Sequence, residues 1–304
     1  MQSYISLAVL LAAVSPSLAG LDKDTLFKNG LSDPLADFYS SIPKPPSSVQ
    51  DMPPPQICID RAGDHCSADK IQAVSVKYND CDVPWTLCRC DDANMSMDTM
   101  VDRFGSLPPG VRSYVGAALA VQADNPSAGS SGDFITFNGE CGVSVFLHEA
   151  GHSLDQGTSP SQEWTDALGQ SSCVPDDYAN SSPAEDFAQV EVVYYYQLKK
   201  GSLPADPGCL QPQLNYMNAT ERVRDANMRD SCSPEKRPFT FDPPAAPQDP
   251  TTSDPVPVPT ETPTTPEDPS PAPEDPVPTP TPSSCPAGKV RRSEKLRRRA
   301  ARRA

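Results

Sequence analysis

Two of the three histidines in the chain stand four residues apart in the segment FLHEAGHSLD, residues 146–155. His148 and His152 flank Glu149 in the pattern His-Glu-x-x-His. On an α-helix, positions i and i+4 lie about 40° apart on one face, so both imidazoles can reach a single metal ion. Glu149 lies about 100° round from His148 and can stand beside that ion without binding it. The spacing therefore predicts a metal site, with Zn²⁺ as the expected ion.

The residues around the histidines favour a helix with two distinct faces. At 100° per residue, small and apolar side chains gather on one side and the histidines lie on the other. The residues of the apolar side are Val143, Phe146, Leu147, Ala150, Gly151 and Leu154. By chance, the pattern is expected in roughly one of several hundred chains of this length. We therefore favour a metal site over histidines on an ordinary surface helix.

A third ligand must come from elsewhere, because a catalytic zinc usually takes three protein ligands and keeps a fourth position for water. His65 is the only other histidine and lies far upstream. The longer metzincin pattern requires a histidine where this chain has Thr158, so that class is excluded. The segment DYANSSPAEDFAQ, residues 177–189, is the better source, since it contains Tyr178 and Glu185.

With these residues the chain resembles the zinc metalloproteases related to the catalytic domain of anthrax lethal factor, a gluzincin-like group that includes small secreted fungal proteins. In that family a loop tyrosine follows the His-Glu-x-x-His helix, and a glutamate ligand comes seven residues later at the start of a helix with the pattern Glu-x-Phe-Ala. Tyr178 and the sequence EDFA, which begins at Glu185, stand in that relation. The resemblance spans about residues 133–200. It implies a zincin-like fold, zinc bound by His148, His152 and Glu185, and a Tyr178 hydroxyl that stabilises an oxyanion.

Several of these assignments leave alternatives open. The sequence SPAE, residues 182–185, is also a capping box, in which the carboxylate of Glu185 would point back along its own backbone. Asp186 is an alternative ligand or a partner of one. Tyr178 is either the oxyanion donor or a half-buried aromatic residue, and Asp155 either orients a histidine or faces solvent.

The amino-terminal residues 1–19 predict a secretory signal peptide, because the apolar run ISLAVLLAAV is followed by small residues before Gly20. No other run approaches the roughly 20 apolar residues of a membrane span. Three glycosylation sequons agree with export and stand at Asn94, Asn180 and Asn218. We therefore expect a secreted, extracellular protein, with association with the cell wall as a further possibility.

Ten cysteines in an exported chain favour disulfide bonds. Nine of them lie between Cys58 and Cys232, so one thiol is either free, paired with Cys285, or paired with another chain. A structural zinc site is the alternative for part of this set, although its irregular spacing argues against it. Its ligands would be Cys81, Cys88, Cys90 and His65.

Composition divides the chain after the signal peptide into four regions. Residues 20–55 contain many prolines and form either a pro-segment or a loosely docked arm, and residues 56–241 are the expected catalytic domain. Residues 242–286 consist mainly of Pro, Thr, Ser and acidic residues, which predicts a disordered linker. Residues 287–304 form a basic tail, which is either a solubilising end or a contact with anionic surfaces.

The charge of the chain is concentrated in the predicted folded part. Residues 20–241 carry 16 Lys and Arg against 31 Asp and Glu, which accounts for the net charge of −15. Since an acidic domain repels phosphate backbones, nucleic acid is excluded as its ligand.

Hydrophobic patterning predicts a mixture of strands and helices. Strands are expected at residues 71–79 and 133–139, and helices before Pro108 and near Val111. A polar loop is expected over residues 155–182, followed by a long helix that ends at Gly201. Together with the histidine helix, these elements predict an α+β domain with a small mixed sheet, stabilised by disulfide bonds.

A secreted zinc metallopeptidase is the leading hypothesis from these residues. Zinc would lower the pKa of a bound water, and Glu149 would take its proton as the general base for attack on a peptide carbonyl. The strand at 133–139 would offer its edge to an extended protein or peptide substrate. The alternatives are a non-catalytic exported protein that binds zinc or associates with the wall, and a secreted effector or toxin that acts on one host protein.

Overall fold

The computed structural model describes residues 20–233 and 283–284. The expected signal peptide, the basic tail and all of the linker except residues 283–284 lie outside this part of the chain. The strands are β1 (Asp24–Thr25), β2 (Ser47–Met52), β3 (Ile71–Tyr78), β4 (Trp85–Cys90), β5 (Ala117–Val121), β6 (Ser127–Ser131), β7 (Phe134–Asn138), β8 (Cys173–Val174) and β9 (Ser283–Ser284).

The described residues also form α-helices. They are α1 (Ser32–Ser41), α2 (Gln56–Ala62), α3 (Met97–Gly105), α4 (Pro109–Arg112), α5 (Val143–Asp155), α6 (Gln162–Gln170), α7 (Pro183–Lys200), α8 (Gln211–Ala219) and α9 (Glu221–Met228). Short 3₁₀ turns at Ala68–Lys70, Ala179–Ser181 and Pro207–Leu210 connect some of them. The α+β class with a mixed sheet is therefore confirmed.

The order of strands in the main sheet is β2-β3-β4-β5-β7-β6-β9. The strands β4, β5 and β7 run parallel, and the remaining neighbours are antiparallel. All five residues of β5, the sequence AALAV, are buried, as expected for a central strand with both faces covered. Neighbouring strands pair with both edges of β7, because it lies between β5 and β6. The expectation that the strand at 133–139 offers a free edge to a substrate is therefore wrong.

The segment before residue 56 contributes to the main sheet and to the core. Strand β2 pairs with β3 over its whole length, from Ser47 opposite Tyr78 to Met52 opposite Ala73. Helix α1 buries its apolar side, on which Leu35 is only 1% exposed. Most of residues 20–55 therefore pack as part of the globular unit.

The expected polar loop over residues 155–182 contains helix α6, so that prediction is wrong. The helix begins at the N-cap Ser161, whose Oγ accepts a hydrogen bond from the backbone N–H of Trp164 at 3.2 Å. The Trp164 ring is fully buried and packs edge-on against Phe187 of α7, with 5.1 Å between the ring centroids. A single large aromatic anchors this short helix, and its other residues are mostly polar, which conceals the helical pattern.

Helices α5 and α7 pack closely, because α5 has a glycine at their contact. A β-carbon at Gly151 would lie 3.3 Å from Cα of Ala188 and 3.4 Å from Cβ of Glu191. Helix α7 ends at Gly201, which adopts φ 78° and donates its N–H to the carbonyl of Gln197. Helix α5 also contacts β6 and β7, so it lies between the sheet and α7.

Disulfide bonds join distant parts of the described chain. Four of them are Cys58–Cys88, Cys66–Cys90, Cys81–Cys232 and Cys173–Cys209. Cys141 is also disulfide-bonded, and the described residues contain no free cysteine. Cys285 lies outside the described residues. The second zinc site suggested for Cys81, Cys88, Cys90 and His65 is wrong, because all three of its sulfur atoms are used in disulfide bonds.

None of the helices in residues 20–233 combines the length and the apolar character that crossing a membrane requires.

Candidate metal centre

Three potential metal-binding atoms meet between α5 and α7. Nε2 of His148 lies 3.1 Å from Oε2 of Glu185, and Nε2 of His152 lies 3.2 Å from the same oxygen. The two Nε2 atoms are 3.2 Å apart. Within the described residues this is the single group of three or more histidine, cysteine or carboxylate side chains close enough to share a metal ion.

This triangle has the size of one face of a zinc coordination tetrahedron. Bonds of about 2.0 Å to a tetrahedral ion place neighbouring ligand atoms about 3.3 Å apart. The observed separations of 3.1 to 3.2 Å are close to that value. The three side chains are therefore arranged to accept an ion without large movements of the backbone.

A hydrogen-bonded chain behind His148 orients its ring. Nε2 of Gln189 donates to Oδ2 of Asp176 at 2.8 Å, which leaves Oε1 of Gln189 to accept from Nδ1 of His148 at 3.0 Å. The proton of a neutral His148 is thereby held on Nδ1, and the lone pair of Nε2 faces the other two ligand atoms. Asp176 also accepts from the backbone N–H of Ala179 through Oδ1 at 3.1 Å. The chain connects α5, α7 and the loop between α6 and α7.

The electrostatics of the triangle favour an ionised carboxylate. Burial by itself raises the pKa of Glu185, but the hydrogen bonds and charges of His148 and His152 outweigh it and bring that pKa to about 2. Burial also lowers the pKa of His152, but the hydrogen bond to Glu185 and the charges of Glu149, Glu185 and Asp155 outweigh that effect and leave the pKa raised. Without a metal, positive charge on an imidazole compensates the buried carboxylate.

The structure places Glu185 toward the histidines and Asp186 away from them. Oγ of Ser182 accepts from the backbone N–H of Glu185 at 3.2 Å, so the N-cap predicted from the sequence is present. The carboxylate of Glu185 contacts the imidazoles and makes no reciprocal capping bond among the described residues. Asp186 accepts a hydrogen bond from Nε2 of Gln213 in α8 and is fully buried there. The third potential ligand atom therefore belongs to Glu185.

Glu149 is fully buried beside the triangle and contacts strand β6. Oγ of Ser130 lies 3.0 Å from Oε2 of Glu149 and 2.8 Å from its backbone carbonyl oxygen. The serine hydroxyl has one proton and can donate it to either oxygen, so strand β6 contacts both the backbone and the carboxylate of Glu149.

Tyr178 lies next to the site as a half-buried ring. Its centroid is 5.6 Å from that of His148, and the two rings meet edge to face. Asp155, for which a contact with a histidine was one expectation, instead accepts from the backbone N–H and the hydroxyl of Ser159, each at 2.6 Å. His65 is exposed and lies outside the group of potential ligands. Tyr178 thus borders the site, whereas Asp155 stabilises the turn after α5.

Three residues of the site were not predicted from the sequence: Gln189, Asp176 and Ser130. Gln189 stands one helical turn after Glu185, and this i+4 spacing was a usable signal. Asp176 precedes Tyr178 by two positions but carries no pattern of its own. Ser130 reaches Glu149 through the folding of β6 against α5, which no local pattern reveals.

Comparison with known proteins gives a family. The model of the family "Con-13: Conidiation-specific protein Con-13" matches residues 28–230. Conidiation-specific protein 13 of Neurospora crassa is 32% identical over an alignment 249 residues long, and the match covers 73% of this chain and 73% of that protein. No solved structure matches the chain.

These matches correct the functional hypothesis drawn from the sequence. Neither the family nor the relative is described as a peptidase or as a zincin. The assignment to the gluzincin-like metallopeptidases is therefore wrong, and so is the zinc endopeptidase activity that followed from it. The protein or peptide substrate loses its support, and the catalytic roles of Glu149 and Tyr178 lose the reaction to which they were assigned. The chain belongs to the Con-13 family of conidiation-specific proteins.

Proposed function

We propose that this protein is an exported, non-catalytic zinc-binding member of the Con-13 family, with one Zn²⁺ held by His148, His152 and Glu185. The observation that carries the proposal is the triangle of donor atoms, with sides of 3.1 to 3.2 Å, between α5 and α7. Two imidazole nitrogens and one carboxylate oxygen form a donor set that suits zinc. Calcium and magnesium prefer oxygen ligands alone.

The charge and burial of the ligands support a bound cation. The side chains of His148 and Glu185 are 3% and 5% exposed, and that of His152 is 14% exposed. Two neutral imidazoles and a carboxylate carry one negative charge, which a divalent cation offsets without a proton on either ring. The partial exposure of His152 leaves a side from which an ion can approach.

The orientation of His148 supports the same proposal. Ligating histidines commonly donate their second ring N–H to a fixed acceptor, and Gln189 is such an acceptor. Because Asp176 holds the amide of Gln189 in the required orientation, the ring is positioned before a metal arrives. This arrangement reduces the entropic cost of forming the site.

The non-catalytic part of the proposal rests on the family. The matching family and its relative are named conidiation-specific proteins, after the formation of asexual spores. We place the function of this chain at that stage. In this role zinc links α5 to α7, either to stabilise the protein after export or to keep zinc outside the cell.

The test is the metal content of the full chain, secreted from yeast and dialysed against a buffer that contains trace zinc and no other added metal. We expect about one zinc per molecule, measured by mass spectrometry of the metal. His148→Ala and Glu185→Gln should each lose most of it. His65→Ala and Glu163→Gln, which change exposed residues outside the site, should retain it.

Two results would contradict the proposal. Less than about one tenth of a zinc per molecule in folded wild-type protein contradicts zinc binding, since a tight structural site stays occupied through such dialysis. Cleavage of unfolded casein by the wild type, abolished in Glu149→Gln, contradicts the non-catalytic assignment and leaves zinc binding intact.

A further inference from the structure

The three glycosylation sequons differ in the surroundings of their asparagine side chains. Asn94 and Asn218 are exposed, and Asn180 is half-buried. Oδ1 of Asn94 accepts from the backbone N–H of Ala123 at 2.9 Å, and Oδ1 of Asn218 accepts from the Tyr194 hydroxyl at 3.3 Å. Among residues 20–233, Nδ2 of neither asparagine donates a hydrogen bond within the usual distance. The atom that would carry a sugar is therefore accessible at these two positions.

Both polar atoms of the Asn180 side chain form hydrogen bonds with the backbone of Lys23. Nδ2 of Asn180 donates to the carbonyl oxygen of Lys23 at 2.9 Å, and Oδ1 accepts from the backbone N–H of Lys23 at 3.0 Å. The amide of Asn180 thus pairs with Lys23 as a neighbouring strand would. Both of its hydrogen-bonding ends are satisfied by the backbone of a segment 157 residues away.

We call residues 20–27 the N-terminal arm, and this arm follows the loop that contains Asn180. Leu21 donates its backbone N–H to the carbonyl of Asn180 at 2.8 Å, and Nζ of Lys23 donates to the carbonyl of Ser171 at 2.6 Å. Strand β1 of the arm pairs in parallel with β8, with Asp24 opposite Cys173. The arm is therefore held by backbone bonds along most of its length.

The backbone of the arm lies directly against the backbone of Asn180. A β-carbon at Gly20 would lie only 2.8 Å from the carbonyl oxygen of Asn180, so even a methyl group does not fit there. An N-linked glycan attaches through a six-membered sugar ring bonded directly to Nδ2, the atom that contacts Lys23. A glycan at Asn180 and the docked arm therefore exclude each other.

We propose that Asn94 and Asn218 carry N-linked glycans in the exported protein, whereas Asn180 remains unmodified because its amide fastens the N-terminal arm. The donor is a lipid-linked oligosaccharide of the secretory pathway. A bond forms between Nδ2 and the anomeric carbon of the first sugar, and the bond from that carbon to the lipid diphosphate breaks. The diphosphate leaves with the electron pair of that bond, and the amide passes one proton to the solvent. The proposal needs export but does not depend on zinc binding.

The test uses the full chain secreted from yeast behind a yeast secretion leader. The glycans are removed enzymatically in ¹⁸O-water, which marks each formerly modified asparagine as a labelled aspartate in peptide mass spectra. Asn94 is the matched control for Asn180, because both sequons end in serine, whereas that of Asn218 ends in threonine. We expect label at Asn94 and Asn218 and less than a tenth as much at Asn180. Comparable label at Asn180, or none at Asn94 or Asn218, overturns the proposal.

A second variant tests whether the glycan and the arm exclude each other. Ser182→Thr changes the Asn180 sequon to the threonine form, which is modified more readily, and a threonine still caps α7. Molecules that carry a glycan at Asn180 should be cut by trypsin after Lys23 at least ten times faster than molecules that do not. Continued failure to modify Asn180 in this variant also supports the proposal. A glycan at Asn180 combined with wild-type protection of Lys23 overturns it.

Discussion

Oε1 of Gln189 lies 3.0 Å from Nδ1 of His148, and this hydrogen bond joins α7 to α5 through the ring of a candidate ligand. The amide of Gln189 cannot turn over without losing its bond to Asp176 at 2.8 Å. The contact therefore determines which nitrogen of His148 is available to a metal, although Gln189 itself binds none.

Replacing Gln189 by alanine should weaken zinc binding while leaving the three ligands in place. Loss of a residue that orients a ligating histidine typically costs about 10- to 100-fold in metal affinity. Competition with a chromogenic chelator measures the zinc dissociation constant. Gln197→Ala, also on α7 but far from the triangle, is the control and should bind zinc as the wild type does. Equal affinity in Gln189→Ala and Gln197→Ala would show that the hydrogen bond does not position His148.

Removal of zinc should lower the thermal stability of the protein, because the ion links α5 to α7. A ligand present at about 100 times its dissociation constant stabilises the folded state by about 2.7 kcal/mol. For a domain of this size each kcal/mol shifts the melting temperature by about 2–4 °C, so we expect a decrease of about 5–10 °C. Calorimetry with and without EDTA measures it. His65→Ala should show the full decrease, and His148→Ala should show none; a chelator effect in His148→Ala would mean that the metal binds elsewhere.

The contact of α5 with α7 at Gly151 should tolerate no larger side chain. In Gly151→Ala the new methyl group meets Cα of Ala188 at 3.3 Å, and such overpacking costs about 1–3 kcal/mol. Gly169 in α6 is the matched control, because nothing lies within 4 Å of a β-carbon there. Gly169→Ala should be neutral or stabilising by up to about 1 kcal/mol. Urea denaturation compares the two variants, and a Gly151→Ala protein as stable as the wild type would contradict the close packing.

Glu191 should make the stability of the protein depend on pH. Burial raises the pKa of its carboxyl from 4.5 to about 8, and the amide of Asn227 lowers it only in part. Neither carboxyl oxygen of Glu191 has a hydrogen-bond partner within the usual distance among residues 20–233. Because the folded chain binds this proton more tightly, its stabilising contribution is complete below about pH 4.5 and is lost as pH rises to about 8.

The variant Glu191→Gln should remove that dependence. At about 1.4 kcal/mol for each pH unit between the two values, the loss in the wild type is at most about 5 kcal/mol. Denaturation with EDTA present, at intervals from pH 5 to pH 9, separates this effect from metal binding. Glu163→Gln, at an exposed position of α6, should retain the wild-type profile. A parallel decline in Glu191→Gln and the wild type would mean that another group causes the pH dependence.

Local spacing in the sequence placed two of the three potential ligands on one helix, but it decided neither the third ligand nor the contacts that support the site. His148 and His152 lie on one face of α5, as helical geometry predicts, whereas Glu185 was implied by the resemblance, with Asp186 left as an alternative. Gln189 contacts a histidine 41 residues away, and its i+4 spacing from Glu185 indicates only the face of α7 on which it lies. Asp176, its other partner, carries no pattern of its own. Helix α6 was not predicted for a related reason. One buried tryptophan, Trp164, anchors it, and its packing partner Phe187 is distant in sequence.

The family membership of the chain could not be predicted from its local motif either. His-Glu-x-x-His with a downstream glutamate describes a donor set, and a donor set binds metal whether or not a reaction follows. The resemblance that suggested a peptidase rested on about residues 133–200, whereas the match to the Con-13 family extends over residues 28–230. The longer match determines the family, and the short motif now supports a proposal about zinc alone.

By itself the sequence determined that two histidines share one helical face and that the cysteines of an exported chain favour disulfide bonds, because backbone periodicity and composition act locally. Only the tertiary structure decided that Glu185 meets those histidines and that Asp186 turns away. It alone brings Asn180 to Lys23 across 157 residues. These contacts depend on how helices and loops pack against the sheet, and packing depends on the whole chain at once.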